Sequence, residues 1–126
     1  MGTRGTIHFL DGRKTLCSIY RQYDCYPTGL GDELKDRYGR TKLLNGFGRD
    51  VAPTAANGMA CLAAQAVGYL KAGTIGNVYM TRSADRQEYN YFISEYRGEP
   101  WLKLTNEAGH VLFKGPLWSF NGKDFE

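Results

Sequence analysis

Apolar and polar side chains alternate from the start of the chain. Gly5, Ile7 and Phe9 fall on one face of a first extended segment, residues 3–10, with Thr6, His8 and Leu10 on the other. Asp11-Gly12 is a tight-turn dipeptide. Residues 14–23 read as the returning strand, with Leu16, Ser18 and Tyr20 opposite Cys17, Ile19 and Arg21, so an antiparallel hairpin is expected. Pro27 and Gly29 stop that strand, and Thr28 is placed to cap a helix. Leu30, Leu34 and Tyr38 then recur every fourth residue as one apolar stripe. Asp32 and Glu33 early in this helix and Arg37 late in it suit the macrodipole, and Gly39 is the expected C-terminal cap.

Residues 39–57 hold four of the chain's breakers (Gly39, Gly46, Gly48 and Pro53) with basic Arg40, Lys42 and Arg49, and read as a connector around a short extended piece at Lys42-Leu43-Leu44. Gly46-Phe47-Gly48 has the look of part of a phosphate-binding glycine pattern, but follows no clear strand. Asn57 is the expected N-cap of a second helix, whose stripe is Met59, Leu62, Ala63, Ala66, Tyr69 and Leu70 and whose end is Gly73. Its alanines keep it slim enough to approach a sheet or a copy of itself closely. From Asn77 onward the period returns to two, predicting strands at Val78–Thr81, Tyr89–Tyr96, Trp101–Thr105 and His110–Lys114, and an anchored tail over residues 116–126. The order β-β-α-α-β-β-β-β predicts a single α+β domain over residues 1–126, an antiparallel sheet with both helices on one face.

Length changes this picture little. The chain's 126 residues suit one domain able to bury a core without a staple. Cys17, Cys25 and Cys61 are odd in number and lack histidines at ligand spacing, which argues against a disulfide framework and a zinc site. No metal or cofactor is expected. A formal charge of +3 is too mild for duplex nucleic acid but suits a small anion. No apolar run reaches membrane-span length, and residues 1–4 lack a signal peptide's apolar run, so a cytoplasmic protein is expected. Nine tyrosines are the unusual figure, because tyrosine favours surfaces that are half apolar and half hydrogen-bonding.

The chemistry that stands out lies at Tyr20-Arg21-Gln22-Tyr23-Asp24-Cys25-Tyr26-Pro27-Thr28-Gly29-Leu30-Gly31. No nucleophile turn is present, and Cys25 beside Asp24 lacks a neighbouring base. A binding surface is the better-supported expectation. Arg4 and Arg21 can bond phosphate or carboxylate bidentately. Gln22, Asp24 and Asn90 can read a base edge, and Tyr23, Tyr26, Tyr89, Tyr91 and Trp118 offer faces for a base to stack on. Pro27, Thr28 and Gly29 shape the turn beside them, and Asn57-Gly58 presents free backbone N–H groups to an anion.

Three blocks carry a resemblance: Met1-Gly2-Thr3-Arg4-Gly5, the stretch from Tyr20 to Gly31, and Asn57-Gly58-Met59-Ala60-Cys61-Leu62-Ala63. The resemblance covers about the first two-thirds of the chain. The blocks resemble a group of small phage and bacterial proteins that neighbours the Thoeris anti-defence sponge proteins of phages; the usual form has Gly where this chain has Cys25. The resemblance implies an α+β protein that assembles as dimers or higher oligomers. It also implies a non-enzymatic role: binding a cyclic ADP-ribose isomer, in some members a cyclic oligonucleotide, without cleaving it. The alternatives are an inhibitor that binds a host defence enzyme, and a small nucleotide-processing enzyme with Asp24 or His8 as its base.

Overall fold

A computed structural model describes residues 2–46 and 55–126. Strand β1 (Gly5–Asp11) turns at Gly12-Arg13 into β2 (Lys14–Arg21), and the two form the predicted antiparallel hairpin, with a bulge between Phe9 and Leu10. Helix α1 (Asp32–Tyr38) follows, then a pair of two-residue strands, β3 (Lys42–Leu43) and β4 (Ala55–Ala56), that lie parallel. Helix α2 (Gly58–Lys71) leads to β5 (Val78–Met80), β6 (Tyr89–Tyr96), β7 (Glu99–Asn106) and β8 (Val111–Pro116). Two short 3-10 turns, Leu117–Ser119 and Gly122–Phe125, end the chain. The fold is a single α+β domain, as the periodicities predict.

The other six strands form one sheet in the order β5-β2-β1-β6-β7-β8. It is not wholly antiparallel: β1 and β6 run parallel, Ile7 opposite Tyr91. The reason lies in the connection. Because β5 pairs with the outer side of β2 and β6 with the far side of β1, residues 81–88 must cross both hairpin strands before β6 begins. They cross as a strap over the sheet face that carries no helix. Thr81 N–H donates to Ser18 O at one end, and Asn90 exchanges two bonds with the Gln87 backbone at the other.

On the helical face Ile7, Phe9, Ile19, Tyr91, Ile93, Leu102 and Leu104 are all buried, and Leu30, Leu34, Tyr38, Met59, Leu62, Ala63, Ala66 and Leu70 join them in one core. Two expected details differ. Thr28 caps nothing: Pro27–Gly31 forms a single π-type turn that runs straight into α1, with Gly29 N–H donating to Tyr26 O and Leu30 N–H to Asp24 O. Asn57 lends α2 no side-chain cap either; its Oδ1 instead accepts from Gly46 N–H at 2.8 Å. Gly39 does end α1, but in right-handed conformation, and a methyl there would lie 3.0 Å from Trp118 Cα. Phe47, Gly48, Arg49 and Pro53 lie outside the described residues.

Candidate functional site

The conspicuous stretch is first a plug in the core. Cys25 is fully buried, its N–H donates to Thr3 O at 3.0 Å, and a methyl on Gly5 would lie 2.6 Å from Cys25 Cβ. The first two sequence blocks are thus neighbours by contact. Burial pushes the Cys25 thiol up to about 12, so it is an inert packing group at neutral pH. Asp24 adopts φ +63° on the surface side of the same turn, and its carbonyl begins the turn into α1. Pro27 is buried, and Tyr26 stays exposed beside Gly29.

Arg21 is not available to a ligand. Its side chain sits on the helical face, where Nη1 bonds Glu33 Oε1 at 2.7 Å and Nε donates to Tyr23 O at 2.9 Å. Asn90 and Tyr91, both expected to meet a base, are sealed. Asn90 clasps the strap, and the Tyr91 hydroxyl donates to Cys25 O at 2.7 Å inside the core. Burial raises the Tyr91 phenol well above its usual range, so it remains a neutral donor. Arg21→Ala is therefore expected to cost about 1–2 kcal/mol of stability, since it leaves Glu33 half-buried and unpaired; urea unfolding measures this.

Arg4, Gln22 and Tyr23 do come together. With Gly2 and Glu88 they line a hollow of about 330 Å³ at the end of the β1–β2 hairpin. Asn77, at φ +68°, fixes its rim: its Oδ1 accepts from Gln22 N–H and Tyr23 N–H. Tyr23 is 46% exposed, with the Cδ1–Cε1 edge of its ring against Gly2. Glu88 Oε1 accepts from Arg4 N–H at 3.3 Å. This glutamate was missed, and only the strap's path, which the sequence does not display, brings it here.

The remaining expected residues are dispersed. Thr28 and Gly29 line a different hollow with Asp32, Glu33 and Asp36 against Arg37, a lining with more acidic than basic groups. Tyr89 borders a third, with Glu88 and Glu107. Trp118 stands in a fourth with Arg40, Lys42 and Arg97. The glycine at Gly58 is required by φ +79° rather than by close approach, because nothing lies within 4 Å of a methyl built there.

A buried polar ladder lies under the strap. Asn90 Oδ1 accepts from Gln87 N–H and from the Thr6 hydroxyl, 2.7 Å away. The single Thr6 proton is then spent, so Thr6 Oγ1 accepts from His8 Nε2–H at 2.9 Å, and His8 Nδ1 accepts from the Ser18 hydroxyl at 2.7 Å. His8 stacks on Phe92 with Arg86 Nη1 3.3 Å from Nε2. Burial, and secondarily the Arg86 charge, lower His8 from 6.5 to about 4. It is neutral and closed to solvent, which places the candidate base His8 out of reach of a dissolved substrate.

Among the described residues no group of three His, Cys, Asp or Glu side chains is placed to hold a metal ion, and no helix is long and apolar enough to cross a membrane. Comparison with family models, with curated proteins and with solved structures finds no match for this chain.

Proposed function

We propose that this chain is a phage-type anti-defence sponge, a non-enzymatic protein of the host-cell cytoplasm. It binds a cyclic nucleotide signal of the cyclic ADP-ribose class, or a cyclic oligonucleotide, and holds it uncleaved. The observation that carries the reading is the convergence of Arg4, Gln22, Tyr23 and Glu88 on one hollow. Each answers a part of such a ligand: a half-exposed phenol ring for the base, a guanidinium for phosphate, an amide for a base edge and a carboxylate for ribose hydroxyls. At about 330 Å³ the hollow is at the small end for a ligand site and is open on one side. In this reading a second copy covers the other side of the ligand, and the working form is a dimer or higher homo-oligomer.

The test is a thermal-shift screen with cyclic ADP-ribose isomers and cyclic oligonucleotides, since a ligand bound to the native state alone must raise its stability. One of them is expected to raise the melting temperature and to be recovered intact after heat denaturation. Tyr23→Ala should weaken binding about tenfold or more, the loss of one stacking contact, with the unliganded melting temperature unchanged. No shift with any of these ligands would overturn the reading, and a cleaved product would replace it with the enzyme.

One observation favours a second reading, a protein-binding inhibitor of a host defence enzyme. Edge strand β5 and its approach expose Ile75, Tyr79 and Met80, the last 65% exposed, and such an edge is suited to pairing with another chain. A stable complex with a protein, and no ligand-induced shift, is what that reading predicts.

A further inference from the structure

Trp118, expected as a stacking face for a base, lies away from the Tyr20–Gly31 stretch and faces a cleft of about 500 Å³ built from three parts of the chain. One wall is the run from Gly39 to Leu44 after α1, another is the Arg97-Gly98 turn between β6 and β7, and the third is the 3-10 turn Leu117–Ser119. Leu43 N–H donates to Gly98 O at 2.9 Å and ties the first two walls together; Gly39 lets the Trp118 backbone close on the first. The cleft is therefore framed by backbone.

Its lining carries Arg40, Lys42 and Arg97 against a single carboxylate, Glu99. Among the described residues the one ion pair is Arg21–Glu33, so the three cations are not neutralised by salt bridges there. Arg40 Cζ lies 5.4 Å from the centre of the Trp118 ring, and the tryptophan is still 42% exposed. Arg97 packs over Tyr96 at 5.2 Å, a stacking that leaves its guanidinium N–H groups free to donate in their own plane.

We propose that this cleft is a second anion site, separate from the Arg4–Tyr23 hollow, which takes a phosphate monoester carried on a flat aromatic group. The ring lies against Trp118, and the phosphate sits among Lys42, Arg97 and Arg40. The charge selects the ligand class. Three cations and one carboxylate leave an excess of two positive charges around one phosphate position, which matches a monoester, at about −1.5 to −2 near neutral pH, better than a single phosphodiester at −1. The site would thus respond to an opened or terminally phosphorylated nucleotide, and the proposal does not depend on the first hollow being occupied.

The probe is a nucleoside 5′-monophosphate, with the nucleoside and inorganic phosphate as controls, followed by tryptophan fluorescence of the full chain. The monophosphate is expected to quench saturably, and Lys42→Ala with Arg97→Ala to weaken its binding about tenfold or more. The quench should vanish in Trp118→Phe, which retains Trp101, while Tyr23→Ala should leave the isotherm unchanged. Four results would overturn the proposal: no saturable binding; unchanged affinity in the Lys42/Arg97 variant when circular dichroism shows it folded; inorganic phosphate binding as tightly as the monophosphate; or loss of binding in Tyr23→Ala.

Discussion

Tyr91→Ala is expected to remove about 5 kcal/mol or more of stability, enough to leave a domain of ordinary stability largely unfolded. Two losses combine. The ring is fully buried in the middle of the sheet, between Ile7 on β1 and Leu104 on β7, so truncation opens a cavity on the scale of a Phe-to-Ala change. The hydroxyl, moreover, is the partner of Cys25 O, 2.7 Å away. With the phenol gone, a buried carbonyl has no donor, and the turn from Cys25 into α1 loses its tie to β6. Tyr91→Phe separates the terms. It keeps the volume, removes the donor, and should cost about 1–3 kcal/mol. Urea unfolding of the three proteins measures both steps. A variant Tyr91→Ala that melts like the parent but loses ligand would restore the tyrosine to a binding surface and contradict the burial described here.

That residue also shows where the sequence runs out. Tyr89, Asn90 and Tyr91 follow one another on a strand, and alternation places Tyr91 on the face opposite Asn90. Period two says which side chains share a face; it does not say which face is covered. Here both are, the first by the helices and the second by the strap. The strands themselves were legible because one face is buried against α1 and α2, so Ile7/Phe9 and Cys17/Ile19 had to alternate with polar neighbours. The stripes Leu34–Tyr38 and Met59–Leu62–Ala66–Leu70 were legible for the same reason. The parallel β1–β6 pairing was not, because no local signal in residues 81–88 states how many strands they cross. The expected cap at Thr28 failed because Pro27–Gly31 closes a wider turn with its own backbone, leaving the hydroxyl no N–H to accept from.

The candidate site divides on the same line. Arg4, Gln22 and Tyr23 flank a hairpin end that pattern alone located, and they converge. Arg21, one residue before Gln22, alternates to the other face and meets Glu33, which only the position of α1 decides. The cluster of Arg40, Lys42, Arg97 and Trp118 joins residues separated by more than half the chain, and an Arg-Gly turn gives no hint of what lies opposite it.

Acidification should weaken the fold through His8 by up to about 3 kcal/mol. The sign follows from the burial of His8 beneath the strap. In the native state the ring is closed off from water, with Nδ1 2.7 Å from the Ser18 hydroxyl and Nε2 2.9 Å from the Thr6 hydroxyl, so the charged form has lost its hydration. A proton on Nδ1 would turn the Ser18 hydroxyl into an acceptor, but it would also place a second positive charge beside Arg86, away from water; Lys103, over the Phe92 ring, adds no relief. Asp85, on the strap, supplies the opposing charge, and its carboxylate is occupied by the Thr81 hydroxyl and Arg82 N–H. Burial first, and Arg86 second, therefore hold His8 at about 4 against 6.5 unfolded. A depressed value means that the unfolded chain binds the proton first. The contribution is complete above about pH 6.5 and is lost progressively as the pH falls toward about 4. Carboxylates elsewhere also titrate in this window, so the measurement is a difference: urea unfolding of the parent and of His8→Gln at about pH 7.5 and about pH 4. The parent should lose about 3 kcal/mol more than the variant over that interval. Parallel losses in the two proteins would show that the imidazole is not the group that titrates, and with it that the strap does not seal the ladder from water.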